Sequence, residues 1–350
     1  MLKTRITLLF INLILSFSAF SQATYIREQF NITNMLNGTT PLNLRQAVYS
    51  VENAWHDDNL NKKAFNDQID LYAQFCRYII QTGDIRYDGK GDEQAAKTQA
   101  AVFVFMTDSV PIQKEGKLIW HLPFTYNFDD YAGRKDWSSM FVSTLMETGK
   151  GNCHSMPLLY KMIMDTLEEK SWLSLAPNHM YIKAWNKRAG WYNIELTCAE
   201  FPTDAWLSAS GYVHLDAIRN GCYMDTLSLK QSVALCLTDL AQGYMRKYGV
   251  GDGRFILECC NTTLEHFPNY LNALHIKAEV ITQTYLKETD KTTETALSLK
   301  TQMDEIYATI HKLGYRKMPT EMYLNWLYSL NEHSSQYRTK KVTIYKKENY

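Results

Sequence analysis

The chain has 350 residues, of which 45% are hydrophobic and 21% are charged. This composition is typical of a globular protein and excludes collagen-like, low-complexity and wholly disordered chains. Lys plus Arg and Asp plus Glu both number 37, so the net charge is zero and gives no reason to expect nucleic acid or an anionic membrane as the main partner. A chain of this length predicts two or three domains.

The first 21 residues have the pattern of a secretory signal peptide. Lys3 and Arg5 form a positively charged start, Ile6 to Leu15 is an apolar run, and Ala19-Phe20-Ser21 is a small-x-small cleavage site. We therefore expect the mature chain to begin at Gln22 and to be periplasmic or secreted. An uncleaved membrane anchor is the alternative, although the apolar run is shorter than the roughly 20 residues that a transmembrane helix needs.

Export affects the interpretation of the cysteines. There are seven, an odd number, so at least one thiol stays unpaired or pairs between chains in an oxidising compartment. We expect at most one disulfide, Cys198–Cys222, which would tie the end of a predicted hairpin to the segment after it. The alternative is that these and the other cysteines besides Cys153 are small apolar packing residues.

Metal and nucleotide motifs are absent from the sequence. The cysteines show no CxxC spacing and the histidines show no HExxH spacing, so we expect no metal site. Neither glycine-rich phosphate-binding pattern occurs, so we expect no nucleotide cofactor.

Residues 22–109 are predicted to form a helical N-terminal layer. Residues 24–42 are polar and rich in Asn and Thr, and we expect little order there. Apolar residues at helical spacing then predict three helices, at Leu44 to Trp55, about Leu60 to Ile80, and about Asp92 to Met106.

Residues 110–225 are predicted to form an α+β core. Its expected elements are an extended segment (Val110 to Phe128), a short helix (Asp136 to Glu147), a glycine-rich break (Gly149 to Gly151), a second helix (about Cys153 to Glu168) and a β-hairpin (Asn178 to Trp185 and Trp191 to Leu196).

Residues 226–337 are predicted to be entirely helical, followed by a basic tail at 338–350. The candidate helices are Leu229 to Tyr248, Arg254 to Phe267, Tyr270 to Leu286, Thr292 to Leu313 and Thr320 to Leu330. Small residues at Ala241, Gly243, Ala273 and Ala278 suit close helix crossings. The pattern resembles tetratricopeptide-type helix pairs, although no strict 34-residue period is visible.

Three residues of the α+β core form a candidate catalytic set. Cys153 follows the glycine-rich break and precedes a helix, where the helix dipole favours the thiolate that acts as a nucleophile. His179 opens the first hairpin strand and Glu195 lies near the end of the second. A turn centred near Lys187 places His179 opposite Glu195. If the hairpin register is shifted by one step, Asn193 instead of Glu195 lies near His179. We expect Glu195 to contact His179.

These residues carry a resemblance to a known family. Gly-Asn-Cys153-His-Ser before an apolar helix, Asn-His179-Met-Tyr-Ile on a strand, and Gly-Trp-Tyr-Asn-Ile-Glu195-Leu-Thr resemble the core of the transglutaminase-like superfamily of papain-like cysteine enzymes. The motifs are similar in particular to the branch in which helical repeats follow this core. The resemblance implies a papain-like α+β fold, with Cys153 as nucleophile, His179 as base, and Glu195 at the position where the family usually has Asp.

Some members of the resembling family use an aromatic N–H group upstream of the cysteine as a hydrogen-bond donor to the oxyanion. Trp120 and Trp137 are the candidates here, and a packing role is the alternative for each.

The predicted function is that of an exported cysteine enzyme that hydrolyses an amide or peptide bond through Cys153, His179 and Glu195. Its expected partner is a peptide or protein substrate, with a possible protein partner on the helical C-terminal region. The alternative is a non-catalytic binding or scaffold protein that uses the helical region and keeps only a vestigial core.

Overall fold

The computed structural model describes residues 22–83, 85–114, 117–319, 321–322 and 324–325. The predicted signal peptide at residues 1–21 and the predicted basic tail at 338–350 lie outside these residues. Most of the candidate helix from Thr320 to Leu330 lies outside them as well.

The described residues form a mixture of helices and short strands. The helices are α1 (22–36), α2 (Leu44–Trp55), α3 (Lys62–Thr82), α4 (Glu93–Thr107), α5 (Val142–Thr148), α6 (Ser155–Thr166), α7 (Asp204–Ser210), α8 (Leu215–Arg219), α9 (Leu229–Tyr248), α10 (Arg254–His266), α11 (Leu271–Lys287) and α12 (Glu294–Lys312). The strands are β1 (Val110–Lys114), β2 (Lys117–His121), β3 (Thr125–Tyr126), β4 (Lys150–Gly151), β5 (Trp172–Ala176), β6 (His179–Asn186) and β7 (Gly190–Ile194).

The chain divides into two compact units. The helical unit contains the described residues up to Lys62 together with Leu229–Ile310. The mixed unit contains Lys63–Ser228 and the described residues from His311 onward. The predicted N-terminal layer at 22–109 is therefore not one layer. Helix α2 packs on α9 in the helical unit, whereas α4 packs on α6 and β6 in the mixed unit.

Helix α1 contradicts the expectation of low order at residues 24–42. Although its composition is polar, α1 carries a buried apolar stripe at helical spacing, formed by Tyr25, Ile32, Met35 and Leu36. The Tyr25 ring meets aromatic rings of α9 and α10 edge to face, at centroid distances of 5.4 Å to Tyr244, 5.8 Å to Tyr248 and 6.0 Å to Phe255. Burial against these aromatic rings outweighs the weak helix propensity of the Asn and Thr residues.

The helical unit is assembled around close contacts between neighbouring helices. Helix α10 packs against both α9 and α11. The small residues predicted at the crossings are buried, namely Ala241, Gly243, Ala273 and Ala278. Between α9 and α10, the buried Thr263 hydroxyl donates to the Ala234 carbonyl at 3.0 Å.

The centre of the mixed unit is a three-stranded antiparallel sheet in the order β5–β6–β7. Both faces bury side chains, for example Leu173 and Ile182 on one face and Ser174 and Tyr181 on the other, and α4 and α6 contact the sheet. Strand β5 has no counterpart among the predicted elements. All of its residues after Trp172 are buried, so the strand lacks the polar alternation that marks a half-exposed strand.

The register of the β6–β7 hairpin differs from the predicted one. Asn186 pairs with Gly190 and Lys183 pairs with Asn193, so the turn centres on Arg188 rather than Lys187. The side chain of Asn186 accepts a hydrogen bond from the Ala189 backbone N–H at 2.7 Å, and Gly190 has a φ of 69°. A three-residue loop, 187–189, followed by Gly190 in the left-handed conformation accounts for this register.

Two predicted helices around the glycine-rich break have different bounds. The expected helix from Asp136 to Glu147 is a 3-10 turn (Trp137–Met140) followed by α5, because Phe141 is extended and buries its ring. Gly149 ends α5 in the left-handed conformation, with a φ of 70°. Helix α6 begins at Ser155 rather than Cys153, so Cys153 lies just ahead of its first turn.

The buried side chain of Gln99 joins α4 to the sheet and provides a test of this packing. Its amide donates to the Trp185 carbonyl at 3.1 Å and its oxygen accepts from the Tyr192 hydroxyl at 2.7 Å. We expect Gln99→Ala to lower the free energy of unfolding by about 2–3 kcal/mol, because buried partners lose their hydrogen bonds. Urea unfolding measures this effect. Gln94→Ala, at an exposed position of the same helix, is the control, and an equal loss in both variants would contradict the packing role.

Candidate active site

Cys153 lies where a short parallel strand pair leads into α6. Strand β4 (Lys150–Gly151) pairs with β3 (Thr125–Tyr126), and the chain then passes through Asn152 and Cys153 into the helix. The thiol therefore stands at the N-terminal end of α6, which carries partial positive charge from the aligned peptide dipoles of the helix. The residue is 7% exposed, and its Sγ donates towards the Asn178 carbonyl at 3.8 Å.

The side chain of Asn152 holds the backbone around Cys153. Its Oδ1 accepts hydrogen bonds from the backbone N–H groups of His154 and Ser155, both at 3.0 Å. Its Nδ2 donates to the Ser139 carbonyl at 3.0 Å. Asn152 thus satisfies two N–H groups at the start of α6 and ties them to the 3-10 turn.

Gly151 is required by the close packing beside the thiol. A Cβ at this position would lie 2.8 Å from Leu145 Cδ1, 2.8 Å from Met156 Cγ and 2.9 Å from Ser155 Oγ. These distances are shorter than real Cβ contacts allow. The glycine that precedes Asn152 is therefore explained by space, because its φ is not positive.

The loop before the 3-10 turn is organised by one carboxylate. Asp130 accepts hydrogen bonds from the backbone N–H groups of Arg134 at 2.7 Å and Asp136 at 2.8 Å, and from the Ser139 hydroxyl at 3.1 Å. These hydrogen bonds support the turn whose carbonyls contact Asn152 and His154 on either side of Cys153. The loop therefore contributes to the position of the thiol.

His179 and Glu195 form a buried pair. His179 Nε2 and Glu195 Oε2 are 2.5 Å apart, and neither side chain is exposed. Cys153 lies close enough to His179 to raise the pKa of the imidazole. Because Nε2 is engaged by Glu195, Nδ1 is the ring nitrogen left for the thiol. The structure thus brings all three predicted residues together.

The predicted contact between Glu195 and His179 is confirmed, but the two residues are not directly opposite. Continuing the observed register places Glu195 opposite Tyr181, so His179 is its diagonal neighbour on the same face. Diagonal neighbours are about 7–8 Å apart, a gap that long side chains can span. Asn193 is engaged elsewhere, because its amide donates to the Pro202 carbonyl at 3.0 Å and to Asp204 Oδ1 at 2.8 Å.

The environment of His179 acts on its pKa in opposite directions. Burial lowers the pKa, whereas the Glu195 carboxylate and the neighbouring Cys153 raise it, and the net effect raises the pKa to about 10. The folded protein therefore favours the protonated form of the ring.

None of the cysteines forms a disulfide, and all seven lie in the described part of the chain. The expected Cys198–Cys222 bond is therefore wrong for this structure. Burial raises the pKa of both thiols, that of Cys222 to about 11. Burial also raises the pKa of the other thiols outside the candidate site, Cys76, Cys236, Cys259 and Cys260.

The two candidate tryptophans occupy different surroundings. Trp137 is buried on the 3-10 turn that contacts Asn152 and His154. Trp120 is 58% exposed on β2. The tertiary structure thus separates two residues that the sequence left equivalent.

Among the described residues, no group of His, Cys, Asp and Glu side chains is arranged to hold a metal ion. No helix in the described ranges is long and apolar enough to cross a membrane.

The sequence analysis did not assign a role to Asn152, Asp130 or Thr197. Asn152 and Thr197 stand within the quoted motifs, so their positions beside Cys153 and Glu195 were a usable signal. Asp130 gave no such signal, because its partners gather only when the loop at 130–139 closes.

The raised pKa of His179 predicts how stability depends on pH. Its folded-state pKa of about 10 exceeds the ordinary value of 6.5, so protonation stabilises the fold fully below pH 6.5, and this contribution is lost as the pH rises towards 10. We expect the free energy of unfolding of the wild type to fall across this range more steeply than that of Glu195→Gln. Urea unfolding at several pH values tests this. His179→Asn should resemble Glu195→Gln, and equal slopes in all three proteins would contradict the coupling.

Comparison with known proteins found no matching family model, no similar curated protein and no similar solved structure. The geometry of Cys153, His179 and Glu195 is therefore the basis for the functional argument.

Proposed function

We propose that the protein is a transglutaminase-like cysteine enzyme that hydrolyses an amide or peptide bond. The observation that carries this proposal is the alignment of three groups. Cys153 stands just ahead of α6, it is close enough to His179 to raise the pKa of the imidazole, and the buried Glu195 contacts the imidazole nitrogen Nε2. A nucleophile, a base and a group that orients the base are the elements of a cysteine hydrolase site.

The proposed reaction uses the two ring nitrogens for different tasks. The Cys153 thiolate attacks the substrate carbonyl, and His179 donates a proton from Nδ1 to the departing amine, leaving a thioester on Cys153. His179 then takes a proton from water, which attacks the thioester, so that a carboxylic acid leaves and the Cys153 thiolate and the protonated imidazole are restored. Glu195 accepts from Nε2 throughout and keeps Nδ1 directed at the reacting atoms.

The surrounding fold supports a papain-like core as part of the proposal. A helix with the cysteine at its start packs against antiparallel strands. One of these strands carries the histidine, and the glutamate follows the next. The proposed substrate is a peptide or protein, and the proposed periplasmic or secreted location rests on the sequence of residues 1–21 alone.

A binding or scaffold role is the second candidate, and limited access to the site favours it. Cys153 is 7% exposed and the side chain of His179 is not exposed, so little of the reacting groups is open to a substrate. In this alternative the core is vestigial and the helical C-terminal region binds a protein partner.

Thiol labelling distinguishes the two candidates. We expect iodoacetamide, a small reagent suited to a mostly buried site, to label Cys153 at least tenfold faster than any other thiol at about pH 5.5, because only this thiol is paired with an imidazolium. Mass spectrometry of digested protein identifies the labelled residue.

Two cysteine variants serve as matched controls for the labelling. Cys153→Ala should abolish the fast reaction, whereas Cys222→Ala, which removes a buried thiol with a raised pKa, should leave it intact. Labelling of Cys153 no faster than that of the other thiols would contradict the enzyme proposal and favour the scaffold role.

The substrate class is tested by a peptide-cleavage profile. We expect the wild type to generate new carboxyl and amino termini in a peptide mixture, and Cys153→Ala to generate none. Products that appear equally with both proteins would contradict hydrolysis at Cys153, because its thiol forms the covalent intermediate in the proposed reaction.

A further inference from the structure

A short turn after β7 wraps around the Glu195 carboxylate. The backbone of Glu195 pairs with that of Glu200 in both directions, with N–H to carbonyl distances of 2.8 and 3.0 Å. This pairing closes residues 195–200 into a loop. The loop brings Thr197 back over the carboxylate of the residue two positions before it.

Thr197 donates twice to the same carboxylate oxygen. Its backbone N–H lies 3.0 Å and its hydroxyl 2.7 Å from Glu195 Oε1. The other oxygen, Oε2, faces His179 Nε2. The two ends of the carboxylate are therefore held by different partners, one by the turn and one by the imidazole.

These hydrogen bonds restrict the extra conformational freedom of a glutamate side chain. Glu has one more rotatable bond than Asp, so a free Glu carboxylate samples more orientations and loses more entropy when it is held in one of them. Two donors on Oε1 select the orientation in which Oε2 points at His179. Both donors belong to Thr197, and its hydroxyl can be removed without altering the backbone.

We propose that Thr197 is a positioning residue that fixes the Glu195 carboxylate so that Oε2 holds the imidazole of His179 towards Cys153. This inference rests on the proposed function. It identifies Thr197 as the residue that orients Glu195, the third member of the proposed catalytic set.

Other titratable groups surround this cluster and enter its pH dependence. Tyr181 stacks beside His179, with ring centroids 6.5 Å apart. Burial and the nearby Glu195 raise the pKa of both Tyr181 and Cys198. Glu200 also raises the pKa of Cys198. All of these groups remain in place in the variants described next.

The test is the pH profile of Cys153 labelling by iodoacetamide. In Thr197→Val the Glu195 carboxylate loses the hydroxyl donor that keeps Oε2 directed at His179, so the imidazolium is held less well and the thiol keeps its proton to higher pH. We expect the inflection of the labelling rate to move upward by about one pH unit. Thr197→Ser, which keeps the hydroxyl, should retain the wild-type inflection.

A matched control separates positioning from general destabilisation. Thr203→Val makes the same substitution in the same unit and removes a different hydrogen bond, which the Trp206 N–H donates to the Thr203 hydroxyl at 3.2 Å. We expect this variant to lose stability while the inflection stays unchanged. If Thr197→Val does not fold, Thr197→Ala removes the same donor without adding a methyl group, and the same shift is expected.

The outcomes distinguish this inference from the proposed function. Absence of fast labelling at low pH in the wild type overturns the proposed function. Fast labelling in the wild type with an unmoved inflection in Thr197→Val and Thr197→Ala overturns only the role of Thr197. An equal shift in Thr197→Ser also overturns it, because packing rather than the hydroxyl would then be responsible.

Discussion

The contact between His179 and Glu195 lies inside the mixed unit with no exposed surface on either side chain. An ionised carboxylate loses several kcal/mol of solvation on burial, so it persists only where an opposite charge and further hydrogen bonds compensate. His179 supplies the charge, and Thr197 supplies donors to the second oxygen. The end of β7, the turn after it and the start of β6 must all be in place for this compensation.

The two sides of the site are held by different structural devices. The thiol side depends on a helix start, where Asn152 caps the first N–H groups and Gly151 leaves room for Leu145 and Met156. The imidazole side depends on strand register. Because the hairpin turn centres on Arg188, the residues that must meet are diagonal neighbours rather than opposed ones. The long side chain of Glu195 suits this reach between diagonal neighbours.

The helical unit is formed by the described residues up to Lys62 and by Leu229–Ile310, and most of the mixed unit is formed by the segment between them. The aromatic contacts of Tyr25 join α1 to helices more than two hundred residues later. Grouping the helices by their position in the sequence therefore places α1 and α2 in one layer with α4, although α4 belongs to the mixed unit. Closing such a long loop costs only slightly more entropy than closing a short one, so burial of the aromatic cluster is sufficient to organise it.

Local spacing in the sequence determined the bounds of α2 and α9 and the existence of the β6–β7 hairpin. These features depend on the period of apolar residues and on side-chain parity, which are properties of a short segment. Only the tertiary structure decided that α1 is ordered, that β5 completes the sheet, and that the turn centres on Arg188. It also placed Asn152, Asp130 and Thr197 around the site. Periodicity marks which face of a segment is apolar, whereas the residues that cover that face come from distant parts of the chain and become neighbours only on folding.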